Sequence, residues 1–403
     1  MVQSLRGMND IFSPENQKFE YFIYHASRIA KNFGFEYFES PILEQTDLFK
    51  RSVGESSDII GKEMYQFIDK GNNDVCLRPE GTAGVVRAFI QKKLDKAGGV
   101  QKLFYHGPMF RYERPQKGRL REFHQFGCES FGQSSVYEDA SIILMIKTIL
   151  DFFKIDYTLK LNTLGCPSCM PPYKQNLVNF VEAKNDLICQ DCKRRISLNP
   201  IRVLDCKNPN CQNEYKNAPK LLDNLCQSCD DDFKQLQDIL IQNNVKFEID
   251  NNLVRGLDYY TKTAFEFVSN NLGAQNAIAG GGRYDRLVEF LDGKATPAIG
   301  FAIGIERFIE LFELPKSTKE NYYFGALDEE SIPTIFQLAN KKRADKQVFI
   351  EYKNRSLKAH LKNADKQNAK FCIIIGEDER KNGTIWFKDL ETKEEKIIPF
   401  SDL

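Results

Sequence analysis

Four pairs of cysteines have spacing that could do chemistry: Cys166-x2-Cys169, Cys189-x2-Cys192, Cys206-x4-Cys211 and Cys226-x2-Cys229. The intervening stretches, residues 170–188, 193–205 and 212–225, are 19, 13 and 14 residues long. Two thiolates on one tight turn occupy two corners of a tetrahedron and a second turn closes it. Paired knuckles at such gaps therefore point to structural Zn2+, and eight ligands can fill two four-cysteine sites. The spacing does not say which knuckle pairs with which, and the alternative is eight buried reduced thiols. Cys76, Cys128 and Cys372 lie outside the segment and read as ordinary buried thiols.

A second group of candidates is charged. Phe110-Arg111-Tyr112-Glu113 runs into the basic stretch Arg114-Pro115-Gln116-Lys117-Gly118-Arg119-Leu120. A guanidinium offers a planar fork of donors that phosphates and carboxylates match, so an arginine at a strand end beside such a loop suits an anion. A solvated hairpin tip is the alternative. Gln125 and Glu129 interrupt an otherwise apolar strand, where half-buried polar groups need partners. Gly280-Gly281-Gly282-Arg283-Tyr284-Asp285 lets backbone approach a ligand or simply makes a turn, and Arg307 falls in the first turn of a helix opening after Gly304, where N–H groups favour anions. Neither glycine stretch matches a mononucleotide or dinucleotide fingerprint. Leu77-Arg78-Pro79-Glu80-Gly81-Thr82-Ala83 sets a carboxylate two residues from a hydroxyl, and Arg255-Gly256-Leu257-Asp258-Tyr259-Tyr260-Thr261 opens a strand. The four histidines, at 25, 106, 124 and 360, have no metal-protease spacing.

The elements that must position these residues read as follows. Apolar periodicity predicts a helix over Pro14 to Phe33, with Phe19, Tyr21, Phe22, Tyr24, Ile29 and Ala30 on one side. Aromatic-rich strands at Val100–Tyr112 and Arg121–Gly132 form a hairpin with a long, mobile tip, and period two puts Phe123, Gln125, Gly127, Glu129 and Phe131 on one face. A helix at Asp139–Phe153 and a strand at Asp156–Leu164 follow, then strands at Lys246–Ile249, Thr261–Ser269 and Ala277–Gly280 and a helix at Ile305–Phe312. Runs of strands without a helix between each pair indicate an antiparallel sheet. Between Gly165 and about Asp232 the Cys-rich composition marks an insertion. After a polar linker at Pro315–Asn321, alternating strands and helices from Tyr322 to Ile375 predict a small α/β domain with a parallel sheet, and Asn382-Gly383 adds a hairpin signal before strands Thr384–Lys388 and Glu395–Phe400. The predicted division is 1–164, an insertion at 165–232, 233–315, and 322–403.

The chain has 403 residues, enough for two or three domains. Its 56 basic and 56 acidic side chains cancel, so a polyanionic partner must be held by local patches rather than by the field of the whole molecule. No apolar run is long enough to span a membrane, and the N-terminus lacks the apolar core of an export signal. The expected location is the cytoplasm, where cysteines stay reduced.

Arg6-Gly7-Met8-Asn9-Asp10, LRPEGTA, the block from Phe110 to Gly132, RGLDYYT, GGGRYD and AIGFAIGIERF, in that order, resemble class II histidyl-tRNA synthetases from near residue 5 to the C-terminus. The resemblance implies an α+β class: a six-stranded antiparallel catalytic sheet with flanking helices, a Cys-rich insertion, and an anticodon-binding α/β domain. It implies ATP, Mg2+, L-histidine and tRNA(His) as cofactors and partners, and a homodimer formed around Pro41 to Met64. Carried onto this chain, Arg111 would hold the α-phosphate, Glu113 the adenine amino group and Arg307 the γ-phosphate, with Arg119 also at ATP. Arg255 would take the main catalytic role at the α-phosphate. Glu80 and Thr82 would receive the substrate ammonium, Gln125 its carboxylate, and Glu129, Tyr259 and Tyr260 its imidazole, while Gln116 and Lys117, with Arg119, would meet the acceptor end of tRNA. Zinc departs from the family pattern, since these enzymes generally work without it. The competing readings are a non-catalytic paralogue serving as a regulatory subunit, which usually lacks the RGLDYY arginine and the C-terminal domain, and a zinc-knuckle nucleic-acid adaptor, for which the remaining 300 or so residues would have no purpose.

Overall fold

The computed structural model describes every residue except 55, 56, 58, 207, 255, 256, 258, 274 and 316–319. The chain forms two compact units, Met1–Glu313 and Leu314–Leu403.

Among the described residues of the first unit, an eight-stranded sheet carries the architecture. Its six central strands are antiparallel neighbours in the order Gln101–Phe110, Glu122–Phe131, Ala298–Gly304, Ala277–Arg283, Thr261–Val268 and Thr158–Thr163. Two-residue strands, Glu36–Tyr37 and Glu248–Ile249, add in parallel at the two edges. The predicted hairpin pairs from Gln101↔Phe131 to Phe110↔Glu122, in the register that the alternation implies. The helix Glu15–Asn32 lays Phe19, Phe22, Ala26, Ile29 and Ala30 against this sheet, with the Phe22 ring 4.4 Å from that of Phe308 and 5.9 Å from that of Phe126. Tyr24, expected on the apolar side, is exposed. The helix Val136–Phe152 starts on a Ser135 cap, whose hydroxyl accepts from the Tyr137 amide.

Several expectations need correction. Ala298–Gly304 is a central strand that alternation does not reveal, because it is apolar on both faces, with Ile299, Phe301 and Ile303 on one and only alanine and glycine on the other. The glycines 280–282 lie inside a strand rather than after one; a Cβ on Gly281 would collide with the carbonyl of Gly300, so close backbone approach is the reason for glycine there. A three-stranded sheet, Leu43–Gln45, Asp74–Leu77 and Gln66–Ile68, has no counterpart in the sequence reading. The basic tip between the hairpin strands is a closed turn, with Gln116 and Arg119 exchanging both backbone hydrogen bonds.

Among the described residues, the second unit has a five-stranded mixed sheet. Gln347–Ile350, Asn321–Ala326 and Phe371–Ile375 are parallel, as expected, but Thr384–Asp389 and Glu395–Pro399 extend the sheet antiparallel. Asn382-Gly383 is not their turn. It ends a short helix, Glu377–Asn382, with Gly383 in the left-handed conformation at φ 67°, and the turn lies between Asp389 and Glu395. No helix among the described residues is long and apolar enough to cross a membrane.

Arg283 of the GGGRYD segment is the buried polar hub of the first unit. Its guanidinium donates to Asp139 Oδ1 at 2.5 Å and Oδ2 at 3.1 Å, to the carbonyls of Gln133 and Ser135, and to Asp285 Oδ1. Arg283 and Asp139 side chains are each 2% exposed, and Thr263 Oγ1 donates to Asp139 as well. Removing one partner of such a pair strands the other charge, so Arg283→Met should lower the stability of the first unit by about 3 kcal/mol or more, read as a downward shift of its urea midpoint.

Candidate functional site

The sheet opens into a cleft of about 260 Å3 whose walls come from four of its strands, the basic turn and the segment before Thr261. It gathers most of the residues singled out in the sequence: Glu80, Thr82, Arg111, Glu113, Arg119, Gln125, Tyr259, Tyr260 and Arg307. Glu129 lies directly behind the lining. Gln116 and Lys117 are exposed on the turn and outside the cleft, with Lys117 Nζ 3.1 Å from Glu310 Oε2. Arg255 lies outside the described residues, as do Gly256 and Asp258.

Three guanidinium groups share one end. Arg111 donates from Nε to the carbonyl of Pro79 at 2.9 Å and lies over the Phe123 ring, 5.1 Å from its centroid. Pro79 is held in turn because its neighbour Arg78, buried, donates to the carbonyls of Ser40 and Pro108. Arg307 donates from Nε to the carbonyl of Gly118 at 2.8 Å and from Nη1 to that of Ala277 at 3.2 Å, so it also pins the basic turn. Gly118 has φ +72°, a conformation that glycine adopts without strain. Arg119 Nε sits 2.8 Å from Glu113 Oε2, an ion pair without the alignment of a hydrogen bond. Burial, then the Arg119 cation, push the Arg307 guanidinium below its usual value, with Arg111 adding to this; the group still remains charged at neutral pH. One end of the cleft is thus an anion site inside a molecule of zero net charge.

The other end holds carboxyls. Glu80 turns back on the helix Thr82–Gln91, accepting from the amides of Thr82 at 2.7 Å and Ala83 at 2.8 Å. Burial raises its pKa and those two amides oppose the rise. Glu129, 1% exposed, accepts from Tyr284 Oη at 2.5 Å, Thr82 Oγ1 at 2.8 Å and Tyr105 Oη at 3.4 Å. Burial pushes its pKa up to about 8, so the carboxyl is mostly protonated at neutral pH. Gly300 faces Glu129 Oε2 so closely that any Cβ would collide with it. Gln125 Oε1 is buried with no hydrogen-bond partner among the described residues. An amide turned by 180° would present its NH2 instead, so this side chain can serve either sign of ligand group.

Sequence reasoning missed two lining carboxylates, Glu266 and Glu306. Glu266 lies opposite Gly280 across the strand pair. Glu306 accepts from the His124 amide at 2.9 Å and faces His124 Nδ1 at 2.8 Å, locking the turn that bears Arg307 to the strand that bears Gln125. Position next to Arg307 was the one available signal for Glu306, and it does not distinguish a structural acid from a surface one.

The eight knuckle cysteines come together in two sets, Cys166, Cys169, Cys226 and Cys229, and Cys189, Cys192, Cys206 and Cys211. Within each set the sulfur atoms all lie within 4.8 Å of one another. The pairing is nested: first knuckle with last, second with third. All eight are free thiols.

Comparison with known proteins agrees with this geometry. A family model described as histidyl-tRNA synthetase matches residues 7–308, and one described as an anticodon binding domain matches residues 319–403. The histidine–tRNA ligase of Sulfurimonas denitrificans is 65% identical over 398 residues, covering 99% of both chains, and that of Sulfurovum sp. is 61% identical over the full length of both. The structure of the apo histidyl-tRNA synthetase of S. aureus is 32% identical with a TM-score of 0.83, covering 100% of this chain and 98% of the other. With a family model spanning most of its length and relatives this similar along the whole of it, the chain belongs to the histidyl-tRNA synthetase family.

Proposed function

We propose that this chain is a cytoplasmic, homodimeric ligase that activates L-histidine with ATP and transfers it to tRNA(His). The observation that carries the reading is the make-up of the cleft, with three arginines, held by backbone carbonyls or by Glu113, at one end and Gln125 with the buried carboxyls Glu80 and Glu129 at the other. ATP lies at the arginine end. A histidine carboxylate oxygen attacks the α-phosphorus, the bond to the bridging oxygen breaks, and pyrophosphate leaves. Arg111 meets the α-phosphate, Arg307 the γ-phosphate and Glu113 the adenine amino group; Arg119 adds charge, and Arg255 is assigned the main catalytic contact by the family motif. Fixed cations aimed at the charge that develops contribute on the order of 3 kcal/mol each. Mg2+, when bound with ATP, would supply charge neutralisation for the leaving group, and Glu266 in the cleft lining is an oxygen donor of the kind that would hold it.

Glu80 and Thr82 take the substrate ammonium and Gln125 its carboxylate. Tyr259 and Tyr260 line the imidazole pocket, with Glu129 behind them. A terminal ribose hydroxyl of tRNA then attacks the activated carbonyl and AMP leaves, with Gln116 and Lys117 at the acceptor end and residues 322–403 at the anticodon. Structural Zn2+ in the insertion completes the reading.

Histidine alone among the twenty amino acids should support ATP/pyrophosphate exchange, because other side chains leave the buried polar wall unpaired. Equal exchange with another amino acid would reject the pocket. Arg111→Ala should lower the exchange kcat by about 10²-fold while histidine KM stays within threefold. A chain ending at Pro315 should retain exchange and lose tRNA charging, with full charging ruling out the anticodon assignment. The Glu129 carboxyl has a folded pKa of about 8, above its ordinary 4.5, so the proton stabilises the fold; its contribution is complete below about pH 4 and is lost as pH rises toward 8. The unfolding free energy should therefore fall across that window by up to about 1.4 kcal/mol per pH unit, read from denaturant melts at a series of pH values, and Glu129→Gln should flatten the slope.

A further inference from the structure

The two cysteine sets differ in what they hold. In the outer set, Cys166 Sγ is 3.6 Å from Cys169 Sγ and 3.8 Å from Cys226 Sγ; in the inner set, Cys189 Sγ is 3.8 Å from Cys206 Sγ. A tetrahedron of sulfurs about 2.3 Å from a central Zn2+ has edges of about 3.8 Å, whereas a disulfide needs about 2.05 Å. Backbone amides already point at sulfur in both sets, Cys226 N at Cys169 Sγ (3.1 Å) and Cys189 N at Cys211 Sγ (3.2 Å).

The outer set brings the two ends of the insertion together: Cys166 and Cys169 follow the strand Thr158–Thr163, and Cys226 and Cys229 open the helix Gln227–Gln242. Gly165, with φ +61°, turns the strand Thr158–Thr163 into the first knuckle, and a Cβ there would strike Cys169. Its carbonyl accepts from the amide of Lys262 at 2.7 Å, and the Lys262 carbonyl accepts from the Leu164 amide at 2.6 Å. Lys262 has φ +48° and sits where the pairing of Thr261–Val268 with Ala277–Arg283 slips in register, two residues after Tyr260. Its ammonium lies 2.9 Å from Asp232 Oδ2, just past the last knuckle. The bulge that follows the tyrosines is therefore tied by backbone to one side of the outer set and by side chain to the other. Tyr260 and Val254 also pack against the apolar cluster that contains Cys169 and Cys229. The amide-to-sulfur bond of the inner set runs between Cys189 and Cys211, away from the two ends of the insertion.

We propose, resting on the zinc reading above, that the sets are two separate Zn2+ sites with different work: the outer ion clamps the two ends of the insertion behind the Lys262 bulge and so positions the Tyr259–Tyr260 wall of the histidine pocket, and the inner ion folds the distal part of the insertion alone. The outer cysteines are positioning residues; none touches the substrate.

The test combines metal analysis with exchange kinetics on full-length protein prepared under reducing conditions. Wild type should contain two zinc ions per chain. Cys226→Ser/Cys229→Ser should retain one and raise the histidine KM about tenfold or more, with the ATP KM within threefold. Cys189→Ser/Cys192→Ser should also retain one but leave the histidine KM within twofold. Lys262→Met, which leaves all eight thiols in place, should keep two zinc ions and still raise the histidine KM severalfold, so the clamp stays testable should the outer variant not fold. Wild type without zinc would overturn the metal reading. Loss of both ions from either double variant would overturn the separateness of the sites. Two ions in wild type, with a histidine KM in the outer and Lys262 variants no higher than in the inner variant, would overturn the clamp and leave the zinc reading intact. Failure of wild type to use histidine at all would count against the proposed function and leave the metal counts readable.

Discussion

The histidine end of the cleft depends on a carboxyl, Glu129, that is 1% exposed. Burying Glu129 costs several kcal/mol if it is charged and unpartnered, and the surroundings avoid that cost by supplying three hydroxyl donors and by letting the group keep its proton. The donors come from separate places in the chain: Thr82 from a helix start, Tyr105 from the neighbouring strand, Tyr284 from just beyond the glycine run. Each requires room. Tyr105 fits because Gly81 and Gly127 present no Cβ to its ring, and Glu129 itself fits because residue 300 is glycine. Gly81, Gly127 and Gly300, scattered along the chain, thus make the space in which a buried acid and one of its tyrosines are packed.

A second constraint is the fixed direction of the cations in the cleft. Arg111 and Arg307 are not loose surface arginines; each spends part of its donor capacity on backbone carbonyls, which fixes its direction. Cations held in this way lose little conformational entropy when an anion arrives, and the anion meets an organised site. Glu306, the residue before Arg307, has a comparable role, holding that turn to the central strand through His124.

Much of this was legible in the sequence because period-two aromatic strands and motif residues report local geometry. The hairpin carrying Arg111 and Gln125 reads directly from alternation. The strand Ala298–Gly304 does not, since burial on both faces erases alternation, and that loss hid its close packing on Glu129. Asn382-Gly383 misleads for a different reason: a glycine in the left-handed region serves a helix end as readily as a hairpin turn. The knuckle pairing was illegible because gaps of similar length leave every combination sterically open, and only the path of the helices between them decides. Glu306 is visible only in three dimensions, where its partner His124 lies 182 positions away in the chain.

The nesting of the knuckles bears on the order in which the insertion can assemble as it is made. The inner quartet is complete once Cys211 has been added, and its members span only Cys189 to Cys211, a short loop with a small closure cost. The outer quartet joins Cys166 to a cysteine 60 positions later and cannot close until Cys229 has emerged. Synthesis proceeds at roughly 5–20 residues per second, so the distal part of the insertion has about a second or more in which to organise before its two ends are brought together. The strand bearing Lys262 comes later still, and thus meets a base that is already formed.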